Sequence, residues 1–236
     1  MTQVSDNSAW VGLRSLLFHL ASGLVTLGFL LLYPLILAPQ PWVWAVLRCY
    51  ILVQLWLLRV ICGLSYRVEG LEYLPDGPCI IAARHEAMWE TLFLPLLLDN
   101  PVVFLKDEIL RYPLAGPVAR KLDHIGVDRS GALDRAKAAF ERARGLAQAG
   151  RRVLIFPNGT RDPAHRLRVQ SGVAVLYRML KLPCIPVVLD SGDYWVYHRW
   201  LRRPGVITVR VLPPIPVGLR SSQVLARLES DLAQPV

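Results

Sequence analysis

The sequence predicts an α/β fold: a single mostly parallel mixed sheet flanked by helices, with an N-terminal hydrophobic two-helix membrane anchor. Three observations predict it. From about residue 65 onward, short apolar runs alternate with helix-patterned segments, the arrangement that yields a sheet buried on both faces. Two long apolar stretches occupy residues 1–62. The chain has 236 residues, 53% hydrophobic and only 19% charged, which suits one globular domain with an appendage and excludes a disordered chain.

Residues 15–40 contain no formally charged side chain, and His19 is their sole ionisable group apart from Tyr33. That run exceeds the roughly 20 apolar residues needed to cross a bilayer. No basic cluster precedes it, so a cleaved signal peptide fits poorly. Pro39 and Pro41 break the helix. A second apolar helix, about 42–63, carries Arg48 and Arg59, close to three helical turns apart and so on one face. A lone spanning helix does not keep two arginines in hydrocarbon. A stripe of arginine among Trp42, Trp44, Tyr50 and Trp56 fits a helix lying at the interface or a re-entrant pair, with two transmembrane helices as the alternative. Either way the chain is expected on a membrane.

Strands are expected at 66–68, 79–83, 102–105, 125–127, 153–156, 185–189 and 207–212, and helices at 88–98, 114–121, 132–149, 172–180 and 222–232. The 132–149 segment is rich in Ala, Arg, Lys and Glu and stops at Gly150. The domains are then 1–62, a membrane-associated helical pair, and 63–236, the α/β unit. Four cysteines, Cys49, Cys62, Cys79 and Cys184, stand in apolar surroundings without a CxxC pair and read as reduced, buried thiols.

The net charge of +9 is local: residues 1–150 hold 14 basic and 13 acidic side chains, whereas 151–220 hold 12 and 3. No aromatic stacking platform is interleaved with these arginines, which argues against nucleic acid. The pattern fits an anionic bilayer or an anionic substrate. Arg199, Arg202 and Arg203 read as lipid-headgroup contacts.

Three expected strand ends carry unusual polar residues: Arg84-His85-Glu86, Asp128-Arg129, and Pro157-Asn158-Gly159-Thr160-Arg161. In parallel sheets such ends are where chemistry gathers. The chain has no GxSxG, P-loop, GxGxxG or HExxH motif. Its five histidines lack metal-ligand spacing, so no metal is expected. His85 and Glu90 are five apart; with His85 in a loop and Glu90 in the first turn of the next helix, the carboxylate can turn back to the imidazole. It would then set the tautomer and leave the other ring nitrogen as a base. The competing reading is a histidine ending a strand and a glutamate stabilising a helix N-terminus. Residues 156–161 combine a glycine, which permits close backbone approach, with Thr160 and Arg161, which suit an anion such as phosphate. The competing reading there is a Pro/Asn/Gly turn capped by threonine.

His85-x4-Glu90, Lys106-Asp107-Glu108-Ile109 with Pro113 and Gly116, Gly126-Val127-Asp128-Arg129, Phe156-Pro157-Asn158-Gly159-Thr160-Arg161 and Ile185-Pro186-Val187-Val188 occur in that order. Together they resemble the glycerolipid acyltransferases, within them the bacterial 1-acyl-sn-glycerol-3-phosphate acyltransferases, over roughly residues 63–218. The resemblance implies His85 as general base with Glu90 as its orienting partner. Arg129 and Arg161 would hold the acceptor phosphate, Asn158, Gly159 and Thr160 would shape that loop, and Lys106 would assist with an anionic substrate. The donor would be acyl-CoA or acyl carrier protein as co-substrate, with no cofactor, and the acceptor a lysophospholipid; the site would be the bacterial inner membrane, with the catalytic domain on its cytoplasmic face. Glu90 stands where the family commonly has Asp, Asn158 where it usually has Glu, and Gln170 where a Lys is usual. Asn158 leaves the acceptor open between lysophosphatidate and another lysolipid, and a catalytically silent lipid-binding protein is the remaining alternative. Asn158→Glu is expected to change acceptor kinetics more than thioester binding.

Overall fold

The computed structural model describes residues 8–127, 133–165 and 167–236. Helices α1 (Ser8–Leu30) and α2 (Gln40–Leu57) lead into β1 (Leu64–Glu69), β2 (Ile80–Ala83), α3 (Trp89–Leu97), β3 (Val102–Lys106), α4 (Ala115–Lys121) and β4 (Ile125–Val127). Then follow α5 (Leu133–Gln148), β5 (Val153–Ile155), α6 (Gly172–Leu180), β6 (Cys184–Leu189), α7 (Ser191–Tyr194), β7 (Gly205–Val211) and α8 (Ser221–Leu232). The strands form one sheet in the order β1-β7-β6-β2-β5-β3-β4. Five of them, β6 to β4 in that order, are mutually parallel; β1 and β7 are parallel to each other and join β6 antiparallel. Each expected strand is present, its ends within two residues of expectation. The four-residue α7 and the 3-10 turns were not anticipated, because segments that short carry no periodicity to read.

Alternation along the central strands divides the core. Ile81 and Ala83 of β2, Leu154 of β5 and Ile185 and Val187 of β6 face α1, α2 and α3. Ile80, Ala82, Val153 and Cys184 face α5, α6 and α8. Strands buried on both faces need apolar residues at every position, which is why β2 reads Ile-Ile-Ala-Ala and is wholly buried.

The N-terminal pair is an antiparallel hairpin laid along the first face. Arg14 donates to the carbonyl of Ile61 and the hydroxyls of Thr26 and Tyr50 are 3.1 Å apart. α2 ends in a π turn, Leu58–Cys62, stopped by Gly63 at φ +67°, a backbone setting that favours glycine. Inward, α2 buries Val43, Ile51, Leu55 and Leu57, and Phe18 of α1 joins them in the core. Outward, Leu16, Leu20, Leu24 and Leu27 of α1 and Trp42 and Trp56 of α2 are exposed, as are Arg48 and Arg59. Two helical stretches, Ala9–Leu30 and Gln40–Cys62, are long and apolar enough to cross a membrane.

Two expectations are corrected. Cys62, Cys79 and Cys184 are buried, and burial pushes the Cys79 thiol up to about 11. Cys49, however, is exposed, because apolar neighbours on the hairpin face outward as well as inward. Arg202 is no surface contact: it is 7% exposed, with its guanidinium 3.9 Å from the Trp195 ring centroid. Its Nη1 donates to the carbonyls of Arg199 and Leu201, and its backbone N–H to Ser15 of α1. Burial lowers its pKa to about 10. Arg199 and Arg203 are exposed as expected. Arg151 and Arg152 are also structural, donating to the carbonyls of Asn100, Leu122, Leu98 and Pro75. Three of the twelve basic side chains of 151–220 therefore hold the fold.

Candidate active site

β6, β2 and β5 are adjacent and parallel, so the residues following all three emerge at one edge of the sheet. β2 leads to α3 on one face and β5 leads to α6 on the other. Divergent connections of this kind open a crevice at the carboxyl ends of the strands. The crevice is a cleft of about 450 Å³ lined by His85, Glu86, Arg161, Pro163, Gly192, Asp193, Val196 and Tyr197. A second cleft of about 510 Å³, between the hairpin helices and Val118, is lined by apolar and tyrosine side chains only and lacks groups for acid–base chemistry.

His85 follows β2 in a loop, and α3 begins at Trp89 with Glu90 in its first turn, the arrangement in which the carboxylate can turn back to the imidazole. The imidazole Nδ1 is 2.8 Å from Glu90 Oε1. The same oxygen accepts the backbone N–H groups of Glu86 at 2.6 Å and Ala87 at 2.7 Å. Glu90 Oε2 accepts the Ser191 hydroxyl at 2.7 Å. Glu90 and Ser191 are fully buried. The one carboxylate thus meets four donors. Phe156 stacks on the imidazole with ring centroids 4.2 Å apart. With Nδ1 engaged, Nε2 is the ring nitrogen left for the cleft. A neutral imidazole donates through Nδ1 to the carboxylate and presents Nε2 as a proton acceptor. The helix-capping alternative for Glu90 is thereby subsumed, since the carboxylate meets the loop N–H groups and the imidazole together. Among the described residues, His165 also lies near a carboxylate, Asp162 at 3.4 Å, but that pair is exposed.

The loop after β5 is shaped from within. Asn158 is 4% exposed and its Nδ2 donates to the carbonyls of His85 at 3.1 Å and Thr160 at 2.8 Å. Thr160 Oγ1 accepts the Asp162 N–H at 3.2 Å. Gly159 has φ +66°, where a side chain would strain the turn. Arg161 reaches the cleft and lies 5.6 Å from the Tyr197 ring centroid. It is the one arginine among the described residues of the basic segment that lines the cleft. Lys106 ends β3, exposed and outside the cleft lining. Arg129 and Asp128 lie outside the described residues.

Because Asn158 donates to the His85 carbonyl, a carboxylate at this position loses both donors and faces two carbonyl oxygens. Asn158→Asp is expected to destabilise the fold by about 2–3 kcal/mol, read as a lowered unfolding midpoint; an unchanged midpoint would show that the amide donors are dispensable.

Other side chains join the site without an assigned role in the sequence reading. Arg84, 2% exposed, donates to the carbonyls of Leu189, Leu232 and Gln234 and pairs with Glu86 Oε1 at 3.4 Å. It thus ties the end of α8 beneath the His85 loop. Glu86 Oε2 accepts the Gly192 N–H at 3.1 Å. Arg84 and Glu86 stood out as polar strand-end residues; Ser191 did not, because a serine one residue beyond an ordinary Asp has no local signature.

A buried carboxylate bonded to a histidine at the carboxyl edge of a mixed α/β sheet, with an arginine lining the same cleft and, among the described residues, no serine or cysteine bonded to that histidine, is an arrangement suited to general-base chemistry. The chain belongs to the acyltransferase family, whose profile, described as Acyltransferase, matches residues 65–190. A 1-acyl-sn-glycerol-3-phosphate acyltransferase of Pseudomonas aeruginosa is 33% identical over 175 residues, 74% of this chain and 68% of that protein. The 1-acyl-sn-glycerol-3-phosphate acyltransferase alpha of Mus musculus is 29% identical over 178 residues, 73% of this chain and 62% of that protein. The crystal structure of the 1-acyl-sn-glycerophosphate (LPA) acyltransferase of Thermotoga maritima superposes with a TM-score of 0.69 at 19% identity, covering 96% of this chain and 99% of that one. That likeness extends to the N-terminal hairpin as well as the sheet.

Proposed function

We propose that the protein transfers an acyl group from a thioester, acyl-CoA or acyl carrier protein, to the free hydroxyl of 1-acyl-glycerol-3-phosphate, giving phosphatidate. The observation that carries this reading is the Glu90-held His85, 2.8 Å from its carboxylate, on a cleft shared with Arg161. His85 Nε2 takes the proton from the acceptor hydroxyl as its oxygen forms a bond to the thioester carbonyl carbon. The tetrahedral oxyanion collapses, the carbon–sulfur bond breaks, and the thiolate leaves with the proton returned from His85. Arg161 and Arg129 are assigned to the acceptor phosphate, with Gly159 and Thr160 shaping the loop and Lys106 offering a cation at the periphery. No step calls for a metal or a covalent enzyme intermediate. The names of the relatives support the acceptor.

A second reading keeps the chemistry and changes the lysolipid. It is favoured by Asp193, which lines the cleft with Arg161 and would suit an acceptor carrying a cationic group as well as a phosphate. The test is purified protein with labelled acyl-CoA or acyl carrier protein, a panel of lysolipids, and mass spectrometry of the products. Label in phosphatidate supports the first reading; label only in another phospholipid replaces it with the second; no transfer to any acceptor overturns both.

We further propose that residues 1–62 anchor the catalytic unit, 63–236, in one leaflet, at the cytoplasmic face of the bacterial inner membrane. A helix packed along its length on a globular domain, as α2 is through Val43, Ile51 and Leu55, leaves hydrocarbon access to its outer side alone. Deleting residues 1–62 would strip Phe18, Ile51 and Leu58 from the core, so charge substitution is the cleaner probe. The combined variant Leu20→Glu, Leu24→Glu, Leu27→Glu is expected to lower partition onto anionic vesicles by at least about tenfold while leaving the fold intact. Undiminished co-flotation would assign binding to the basic surface instead.

A further inference from the structure

We propose that Ser191 is a positioning residue for the catalytic dyad, acting through Glu90; this rests on the acyltransferase reading above. The carboxylate of Glu90 meets its donors unevenly. Oε1 takes three, from His85 Nδ1, Glu86 N and Ala87 N, all within its own strand-to-helix loop. Oε2 takes one, from Ser191 Oγ at 2.7 Å, across 101 positions of sequence and from the end of β6. Without that bond no hydrogen bond from outside the loop, among the described residues, opposes rotation of the carboxylate about its terminal torsion, which is intrinsically soft. Rotation would exchange the two oxygens and lengthen the contact to His85. Ser191 is fully buried, so no water stands in for its hydroxyl without rearrangement.

The placement follows from topology. Because β6 lies beside β2, the residue after Asp190 arrives against the first turn of α3. The next residue repeats the link, Gly192 N–H donating to Glu86 Oε2 at 3.1 Å. The β6 end therefore braces both carboxylates of the His85 loop.

The hydroxyl also affects proton affinity. It stabilises the deprotonated dyad, in which Glu90 carries the charge and His85 is neutral, so removing it raises the dyad's affinity for a proton. Other charged groups facing the dyad are Glu86, paired with Arg84, and Arg161 and Asp193 across the cleft; none of them is altered by a substitution at 191.

Ser191→Ala adds no group and removes the one hydrogen bond. It is expected to move the acidic limb of the kcat/KM profile to higher pH by about one unit and to lower kcat about tenfold, with KM for the acceptor unchanged. Ser191→Cys, a weaker donor, is expected to fall between. The titration midpoint of the His85 imidazole, followed by NMR with its resonance identified by loss in His85→Gln, should rise by the same amount. Unshifted midpoint and limb in Ser191→Ala would overturn the proposal. If the wild type transfers no acyl group to any acceptor, the functional reading fails, while the NMR midpoint still decides the role of Ser191. Should Ser191→Ala not fold, Ser191→Cys provides the same comparison.

Discussion

Replacing His85 with alanine is expected to lower kcat/KM by about 10³-fold or more while leaving the fold in place. An alkyl hydroxyl is a poor nucleophile until a base takes its proton as the new bond forms, and a positioned base contributes about 10²–10⁴-fold. Here the base is oriented on two sides: Glu90 holds Nδ1 at 2.8 Å and Phe156 stacks on the ring at 4.2 Å between centroids. No second histidine is seen among the described lining residues to take over, and Glu86 is bonded to Gly192 and Arg84. The side chain of His85 is 15% exposed and borders an open cleft, so its loss leaves no sealed cavity. Matching unfolding curves for wild type and variant, together with a product assay, check this. Acyl transfer within about threefold of wild type would remove His85 from the mechanism.

The second large effect is at Glu90. Glu90→Ala strands four donors, on His85, Glu86, Ala87 and Ser191, in a site with no exposure. Orphaned buried donors cost about 1–3 kcal/mol each before relaxation, and effects within one network do not add. The expected loss is about 3–5 kcal/mol of stability, with activity abolished. Glu90→Gln separates the two roles. Its carbonyl oxygen can still accept the loop N–H groups, and its amide can donate to Ser191, so folding should persist. Without the negative charge the imidazole loses its electrostatic partner, and kcat should fall by about 10²–10⁴-fold. A folded Glu90→Gln variant with wild-type kcat would mean that the carboxylate is structural only.

Asn158 shows how tertiary contact revises a motif. Read as a string, it is a neutral residue where the family usually has an acid, and its consequence falls on the acceptor. In the fold its amide donates to the backbone carbonyl of His85. A substitution there disturbs the β2 loop as well as the β5 loop, and acceptor kinetics alone no longer isolate its role. The folded-state measurement on Asn158→Asp must accompany them.

Periodicity and composition were enough for the seven strands, the five longer helices of the α/β unit and the apolar N-terminal pair, because each depends on which faces along a short segment must be buried. Spacing left His85 and Glu90 open between a bonded pair and two separate roles, and it was the resemblance to the acyltransferases that joined them; in the fold a loop and one helical turn bring them together. Arg161 and the left-handed turn at Gly159 were likewise local. Ser191, the Arg84 tie to α8 and the burial of Arg202 against Trp195 and Ser15 were not. Each joins segments far apart in the chain, through residues whose types are ordinary at their own positions. Strand order placed β6 beside β2, and that adjacency, which no local pattern encodes, turned a commonplace serine into a neighbour of the Glu90 carboxylate. The same holds for the hairpin. Its apolar character is written along residues 8–62, but which side meets the sheet and which is left exposed was settled by packing against α3, since an evenly apolar helix carries no preferred face of its own.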